Sequence, residues 1–303
     1  MISLPAFAKI NLDLRVLGVR SDGYHDLRTV FQTLELHDTL TITARPGSFA
    51  ISCNDPDVPL DRHNLVWKAA SLLWRSAKRT GVPRDLHVAI EKRIPAQAGL
   101  GGGSTDAAAV LAALVRLWSL DVDPPTLSRL AARLGADVPF FLVGGTALGL
   151  GRGDDIYPLA ELPRMHVVIA RPGFGVSTVE AYQWFDAGLR ARRREPAARP
   201  VPAGWPAWTA TMRNDLEPPV VKHHPTIGRL KQRLLDAGAV LAAMSGSGSA
   251  VFGLFARADA AARTAADLAR PGWRVACTRT LSRAEHLARH KRALAVVARR
   301  RIS

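Results

Sequence analysis

This sequence predicts an α+β protein of one large or two medium domains, on three observations. Its 303 residues are enough to bury a substantial core. Strand and helix signals alternate through the first half. The second half then runs in an α-β-β-α-β order, which suggests an open α+β sandwich. The expected divisions are residues 1–158, residues 159–285 and a basic tail over 286–303.

Taken in order, Ala8-Lys9-Ile10-Asn11-Leu12-Asp13-Leu14 alternates as a strand, with Lys9, Asn11 and Asp13 on one face and Ile10, Leu12 and Leu14 toward the core. Leu40, Ile42 and Ala44, then Phe49, Ile51 and Cys53, repeat the alternation, so two strands should flank a turn at Arg45-Pro46-Gly47. Leu65, Ala69, Leu72 and Leu73 keep helical spacing up to a stop near Gly81, and Leu86, Val88 and Ile90 form a further strand. Residues 107–114 are strong helix formers. Asp123-Pro124-Pro125-Thr126 opens a short helix with Leu127, Leu130, Ala131 and Leu134 on one face, ending at Gly135. Glycines from Gly144 to Gly153 close the first block. In the second block, residues 166–170 read as a buried strand and residues 186–210, rich in Arg, Pro, Ala and Trp, as an exposed excursion. Ile227, Leu230 and Leu234 mark a helix closing at Gly238. A strand over 240–244, a Gly/Ser loop, a strand over 250–255, a helix over 258–269 and a strand over 273–280 follow, then a basic helix or frayed tail.

Hydrophobic content of 48% with 22% charged residues is that of a soluble globular protein. No apolar run approaches the roughly 20 residues of a membrane span, and Met1-Ile2-Ser3-Leu4-Pro5 lacks a signal-peptide layout, so a cytoplasmic protein is expected. Cys53 and Cys277 sit in alternating apolar runs and read as buried thiols, with no zinc-site spacing. The net charge of +15 raises nucleic acid, membrane and polyanionic small substrates as partners. The dense clusters Arg190-Ala191-Arg192-Arg193-Arg194 and Arg299-Arg300-Arg301 lack interleaved aromatics, so neither nucleic acid nor membrane is expected.

The chemistry concentrates in Pro95-Ala96-Gln97-Ala98-Gly99-Leu100-Gly101-Gly102-Gly103-Ser104-Thr105-Asp106. Its glycines can take positive φ and turn N–H groups toward an anion, and the helix that follows offers free N–H groups and a positive dipole end. A strand, this loop and a helix in that order point to phosphate binding. The run is neither a Walker A loop nor a Gly-x-Gly-x-x-Gly fingerprint. Lys9 and Asn11 can hold a phosphate or a hydroxyl, or can line a solvated strand edge. Asp137, in Gly135-Ala136-Asp137-Val138-Pro139-Phe140-Phe141, reads as a desolvated general base or as an N-cap for the next turn. Met244-Ser245-Gly246-Ser247-Gly248-Ser249 is a second loop into which a ligand can press closely.

The loop Pro-x3-Gly-Leu-Gly-Gly-Gly-Ser-Thr-Asp, the early Ala-Lys-Ile-Asn-Leu and the late Ser-Gly-Ser-Gly-Ser together resemble the galactokinase, homoserine kinase, mevalonate kinase and phosphomevalonate kinase (GHMP) superfamily over almost the whole chain. Lys9-Ile10-Asn11-Leu12, Gly23-Tyr24-His25-Asp26-Leu27, the Asp137 segment and Asn214-Asp215-Leu216-Glu217 are similar to the branch that acts on a CDP-linked methylerythritol. The resemblance implies an N-terminal domain of the ribosomal-protein-S5-domain-2 type, a ferredoxin-like C-terminal domain and a site between them. It implies transfer of the ATP γ-phosphoryl to the 2-hydroxyl of that alcohol in the non-mevalonate isoprenoid pathway, with Mg2+. The catalytic pair falls on Lys9 and Asp137, and the ATP cradle on Pro95, Ala96, Gln97, Ala98, Gly99, Leu100, Gly101, Gly102, Gly103, Ser104 and Thr105. Asn64 falls near the adenine, Ser104 also as a metal contact, and Asp106 as a support for magnesium through water or as a first-turn carboxylate favoured by the helix dipole. Substrate contacts fall on Asn11, Tyr24, His25, Thr178 and Tyr182, in a monomer or weak homodimer. Homoserine or mevalonate kinase is the nearest rival, but those substrates carry no base for Tyr24 and His25. A nucleic-acid module would leave the phosphate loop, Lys9 and Asp137 without a role.

Overall fold

The computed structural model describes residues 1–188, 201 and 204–299. The arginines at 190 and 192–194, and residues 300–303, lie outside them. Strand β1 (Ile2–Val19) and the 24-residue β2 (His25–Ser48) form an antiparallel hairpin whose tip carries Tyr24. Part-way along, β2 changes neighbour. Its residues 39–48 pair with β4 (Arg84–Glu91), which pairs in parallel with β3 (Ala50–Cys53), while residues 27–32 pair with β5 (Thr146–Gly151) and thence β6 (Asp155–Pro158). No hairpin turn forms at residues 45–47. The chain there bulges within β2 against β4, with Gly47 at φ 112° and its N–H donated to Asp85 Oδ1, because pairing with β4 outweighs the local turn signal.

Helices α1 (Leu65–Ser76), α2 (Gly102–Leu117), α3 (Pro124–Leu134) and the single turn α4 (Phe140–Val143) cover the first sheet. Asp123 caps α3 as expected, accepting from Thr126 N at 2.6 Å.

The second sheet has the order β10-β7-β9-β8, built from β7 (His166–Arg171), β8 (Leu241–Met244), β9 (Val251–Phe255) and β10 (Arg274–Arg279). Helices α5 (Thr178–Gly188), α6 (Glu217–His223), α7 (Pro225–Asp236) and α8 (Ala258–Leu268) accompany it. The α-β-β-α-β order is therefore observed. Residues 189–200 and 202–203 of the expected excursion lie outside the described residues, and its described end is less exposed than its composition predicts. Thr209 is buried, and Trp205 and Trp208 pack on the core, because indole rings that reach an apolar face gain more there than in water. Cys53 and Cys277 are free thiols, and neither is fully buried: Cys53 is half-buried and Cys277, on edge strand β10, is exposed.

Strand β1 ties the halves together. Its Leu4 and Ala6 join the core under α1–α4, Ile10 and Leu12 pack with Ile169 and Phe252 between the two sheets, and Leu14 and Val16 enter the core of the second half. Each large apolar side chain buried this way contributes about 1.5–3 kcal/mol. The final helix, α9 (Arg283–Arg299), returns to β1: His286 is fully buried and its Nε2 donates to Phe141 O at 3.0 Å. No helix among the described residues is long and apolar enough to cross a membrane.

Candidate active site

A cleft of about 1150 Å3 lies between the two halves, larger than the roughly 300–1000 Å3 usual for a single small ligand. Lys9 and Asn11 of β1 line it. The polar strand face is thus not solvated, although β1 pairs only with β2 in its sheet: Lys9 and Asn11 are each 3% exposed. Asp13 leaves that face at a register shift between Asn11 and Asp13 and instead meets Arg28 at 2.7 Å and Arg15 at 3.1 Å.

Lys9 Nζ stands 3.2 Å from Asp137 Oδ2 and donates to Asn11 Oδ1 at 2.5 Å. Asn11 Nδ2 donates to Thr29 Oγ1, which donates to Asp13 O, so the lysine sits at the end of a fixed chain of hydrogen bonds. Asp137 is 35% exposed toward the cleft, so it is not desolvated as its apolar neighbours suggested. It is not the cap either: Pro139 holds that position, without a side-chain hydrogen bond.

The glycine loop takes positive φ at Gln97, Gly99 and Gly101, and Gly101 begins α2 with no side-chain cap. The first-turn N–H groups of a 16-residue helix are left for an external acceptor. The glycines also answer a packing demand. A Cβ on Gly99 would lie 2.0 Å from Ser245 O, and one on Gly101 would lie 2.6 Å from the Phe141 ring. The two small-residue loops therefore interlock: Ser245 Oγ donates to Gly99 O at 2.9 Å, and Lys9 N donates to Leu100 O at 3.0 Å. Gln97, Gly99 and Ser104 line the cleft; the side chains of Ala98, Leu100 and Thr105 are buried in the core.

At the acceptor end, His25 stacks on Tyr182 with ring centres 4.4 Å apart, and its Nε2 pairs with Asp186 Oδ1 at 2.9 Å. Burial, reinforced by Asp137 and Asp186, pushes the Tyr182 hydroxyl above its ordinary pKa and keeps it a neutral donor. Tyr24 is 58% exposed, with the Arg152 guanidinium 5.4 Å from its ring centre. Thr178 Oγ1 is hydrogen-bonded to Ser247 Oγ at 3.0 Å.

Two family models match the chain: the GHMP kinases N terminal domain over residues 64–145 and the GHMP kinases C terminal domain over residues 189–272. A 4-diphosphocytidyl-2-C-methyl-D-erythritol kinase of Pelotomaculum thermopropionicum is 43% identical over 93% of this chain and 99% of its own length. The enzyme of that name from Moorella thermoacetica is 41% identical with the same coverage. The chain belongs to the 4-diphosphocytidyl-2-C-methyl-D-erythritol kinase family. A crystal structure of 4-(cytidine 5'-diphospho)-2C-methyl-D-erythritol kinase matches with a TM-score of 0.73 at 37% identity, over 92% of this chain and 99% of that one. A homoserine kinase of Cytophaga hutchinsonii, at 19% identity and a TM-score of 0.61 over 93% and 95% of the two chains, shares the fold. The protein is accordingly a two-domain GHMP kinase of α+β class that uses ATP on a small molecule.

Within this family fold, several expected residues have other work. Asn64 caps α1: its Oδ1 accepts from Val66 N at 2.8 Å and its Nδ2 donates to Pro59 O, and it does not line the cleft. Asp106 lies beyond the first turn of α2 and is sealed away, 4% exposed. It faces Lys92, whose Nζ reaches Asp106 Oδ2 at 2.8 Å and also bonds Asp38. Burial, with Asp38 close by, pushes Asp106 up to about 7 against the pull of Lys92. Sequence reasoning missed this triad because Lys92-Arg93 looks like a solvated charge pair. It also missed Asp186, although that residue follows Tyr182 by one helical turn, a spacing that places both on one face. Asn214 fixes the second loop, donating to Met244 O and Gly246 O.

Among the described residues no cluster of three metal-ligating side chains exists. Ser104 is the cleft oxygen beside the open helix end, and Asp106 does not reach the cleft.

Proposed function

We propose that this protein transfers the γ-phosphoryl group of ATP to the 2-hydroxyl of 4-diphosphocytidyl-2-C-methyl-D-erythritol, with Mg2+, as a cytoplasmic monomer or weak homodimer acting on small molecules only. The observation that carries the reading is the Lys9–Asp137 pair at 3.2 Å, in one cleft with an uncapped helix start and an aromatic acceptor wall. The hydroxyl oxygen forms the new bond to the γ-phosphorus, the bond to the ADP oxygen breaks, and the hydroxyl proton passes to Asp137. Lys9, held by Asn11, fixes the Asp137 carboxylate in place and offsets charge growing on the transferred group. A loose phosphoryl-transfer transition state needs chiefly such positioning and charge. The first-turn N–H groups of α2 hold the phosphates, and Ser104 would hold Mg2+, which would supply charge neutralisation there. Tyr24, His25 and Tyr182 take the cytosine, with Asp186 fixing the imidazole; Asn11 and Thr178 orient the methylerythritol part.

A coupled ADP-release assay with the CDP-alcohol, homoserine and mevalonate side by side tests this. Turnover is expected with the CDP-alcohol alone. Comparable kcat/KM with homoserine or mevalonate would overturn the assignment.

A further inference from the structure

A second cavity of about 530 Å3 opens on the C-terminal half and shares no lining residue with the cleft. Arg229 and Arg233 project from α7 one turn apart, and Arg270 comes from the turn after α8. Phe174 and Trp273 supply aromatic wall, and the Arg270 guanidinium sits 3.4 Å from the Trp273 ring centre.

The charge pattern here is unlike that elsewhere in this basic protein. Arg152, Arg213, Arg257 and Arg279 each meet a carboxylate. No carboxylate lines this cavity, and among the described residues none of its three arginines is in an ion pair. Arg229 donates only to Thr226 Oγ1, and Arg233 makes one long contact of 3.4 Å to Asp267 O, which leaves most of their N–H donors unspent. Like charges one helical turn apart weaken a helix, so the arrangement costs stability unless an anion enters. Several guanidinium forks around one concavity match a group bearing more than one phosphate. The volume suits a nucleotide, and the aromatic wall suits its base.

We propose that this cavity binds a diphosphate group, carried by a nucleoside diphosphate whose base lies against Trp273 and Phe174. Its wall is also a wall of the cleft: Phe174 O accepts from Ser249 Oγ at 2.5 Å, and the next residues, Gly175, Val176 and Ser177, line the cleft. A released nucleoside diphosphate thus has a second place to bind beside the reaction site.

Titration calorimetry at low salt, with ADP and with inorganic pyrophosphate as probes, tests the site. The arginines are exposed, so Arg229→Ser with Arg233→Ser should keep the fold, checked by an unchanged melting temperature. The double variant should bind one ADP fewer than the wild type whatever the cleft binds, with kcat within about two-fold. Trp273→Ala should weaken ADP at this site at least ten-fold and leave pyrophosphate unchanged. Equal ADP stoichiometry in wild type and double variant would overturn the site. Pyrophosphate binding as tightly as ADP, with Trp273→Ala without effect on either, would overturn the nucleoside as its carrier.

Discussion

Two lysine–aspartate constellations flank the start of α2, and they differ in access rather than composition. Lys9 meets one acid, Asp137, which is 35% exposed to the cleft. Lys92 meets two, Asp38 and Asp106, at 0% and 4% exposure. The closed triad is a strut. Asp38 Oδ1 also accepts from Arg93 N and Ile94 N, which sets the chain entering the glycine loop, and a Cβ on Gly102 would lie 3.2 Å from Lys92 Nζ. The open pair can exchange a proton with a ligand; the closed one has no ligand to exchange with. The same residue types become chemistry or scaffold according to whether the acid faces the cleft.

The comparison can be broken in four places, from the largest effect down. Lys9→Ala should lower kcat by roughly 10²–10⁴, and adding Asp137→Asn should make it little worse, since groups acting as one unit are non-additive. Additive losses in a steady-state double-mutant cycle would separate the two residues. Lys92→Met leaves two buried carboxylates without their cation and should cost about 3–5 kcal/mol of stability, read from the denaturant midpoint, while folded molecules keep most of their kcat. A loss of kcat equal to that of Lys9→Ala at unchanged stability would make Lys92 a participant in the reaction. At the acceptor end, Tyr24→Ala should weaken binding of the CDP-alcohol by about 1–3 kcal/mol, the range for a lost base stack, and leave ATP unaffected. Equal losses for both ligands would make Tyr24 structural.

The effect that is smallest near neutral pH is a pH dependence. Burial, with His290 adjacent, pushes His286 from 6.5 down to about 3. Above pH 6.5 neither folded nor unfolded chain holds that proton and the stability is fully present. As pH falls from 6.5 toward 3, the unfolded chain takes up a proton that the folded one refuses, and stability drops by up to about 1.4 kcal/mol per unit. Asp106 acts with the opposite sign: raised from 3.8 to about 7, it binds a proton in the folded state first, so its contribution grows as pH falls through 7. The difference between wild type and His286→Asn, measured by chemical denaturation from pH 7.5 to 4.5, isolates the histidine. The variant should lose stability less steeply; parallel curves would mean that His286 titrates freely.

Much of this was legible locally. The alternation around Lys9 and Asn11, the glycine run and the capped α3 are short-range signals, and each element stands where its pattern placed it. What was hidden depends on contacts distant in sequence. Gly99 is required by Ser245, 146 residues on, as much as by any anion. The Pro46-Gly47 signal yielded to pairing with β4, and the basic C-terminal stretch proved to include a helix docked on α4 through His286 and on β1 through His290. Asp137 and Asp106 carry no local mark of exposure: an apolar neighbourhood surrounds the acid that opens to the cleft, and a glycine loop precedes the acid that is sealed.

The central claim is that Asp137 takes the acceptor proton in a site otherwise built to bind and position. Asp137→Asn keeps the shape and removes the proton acceptor. The most direct test is its single-turnover rate, measured alongside equilibrium binding of ATP and of the CDP-alcohol. The account predicts binding of both within about three-fold of wild type, with transfer slowed by roughly 10²–10⁴. Transfer near the wild-type rate in a folded, substrate-saturated Asp137→Asn enzyme would contradict it.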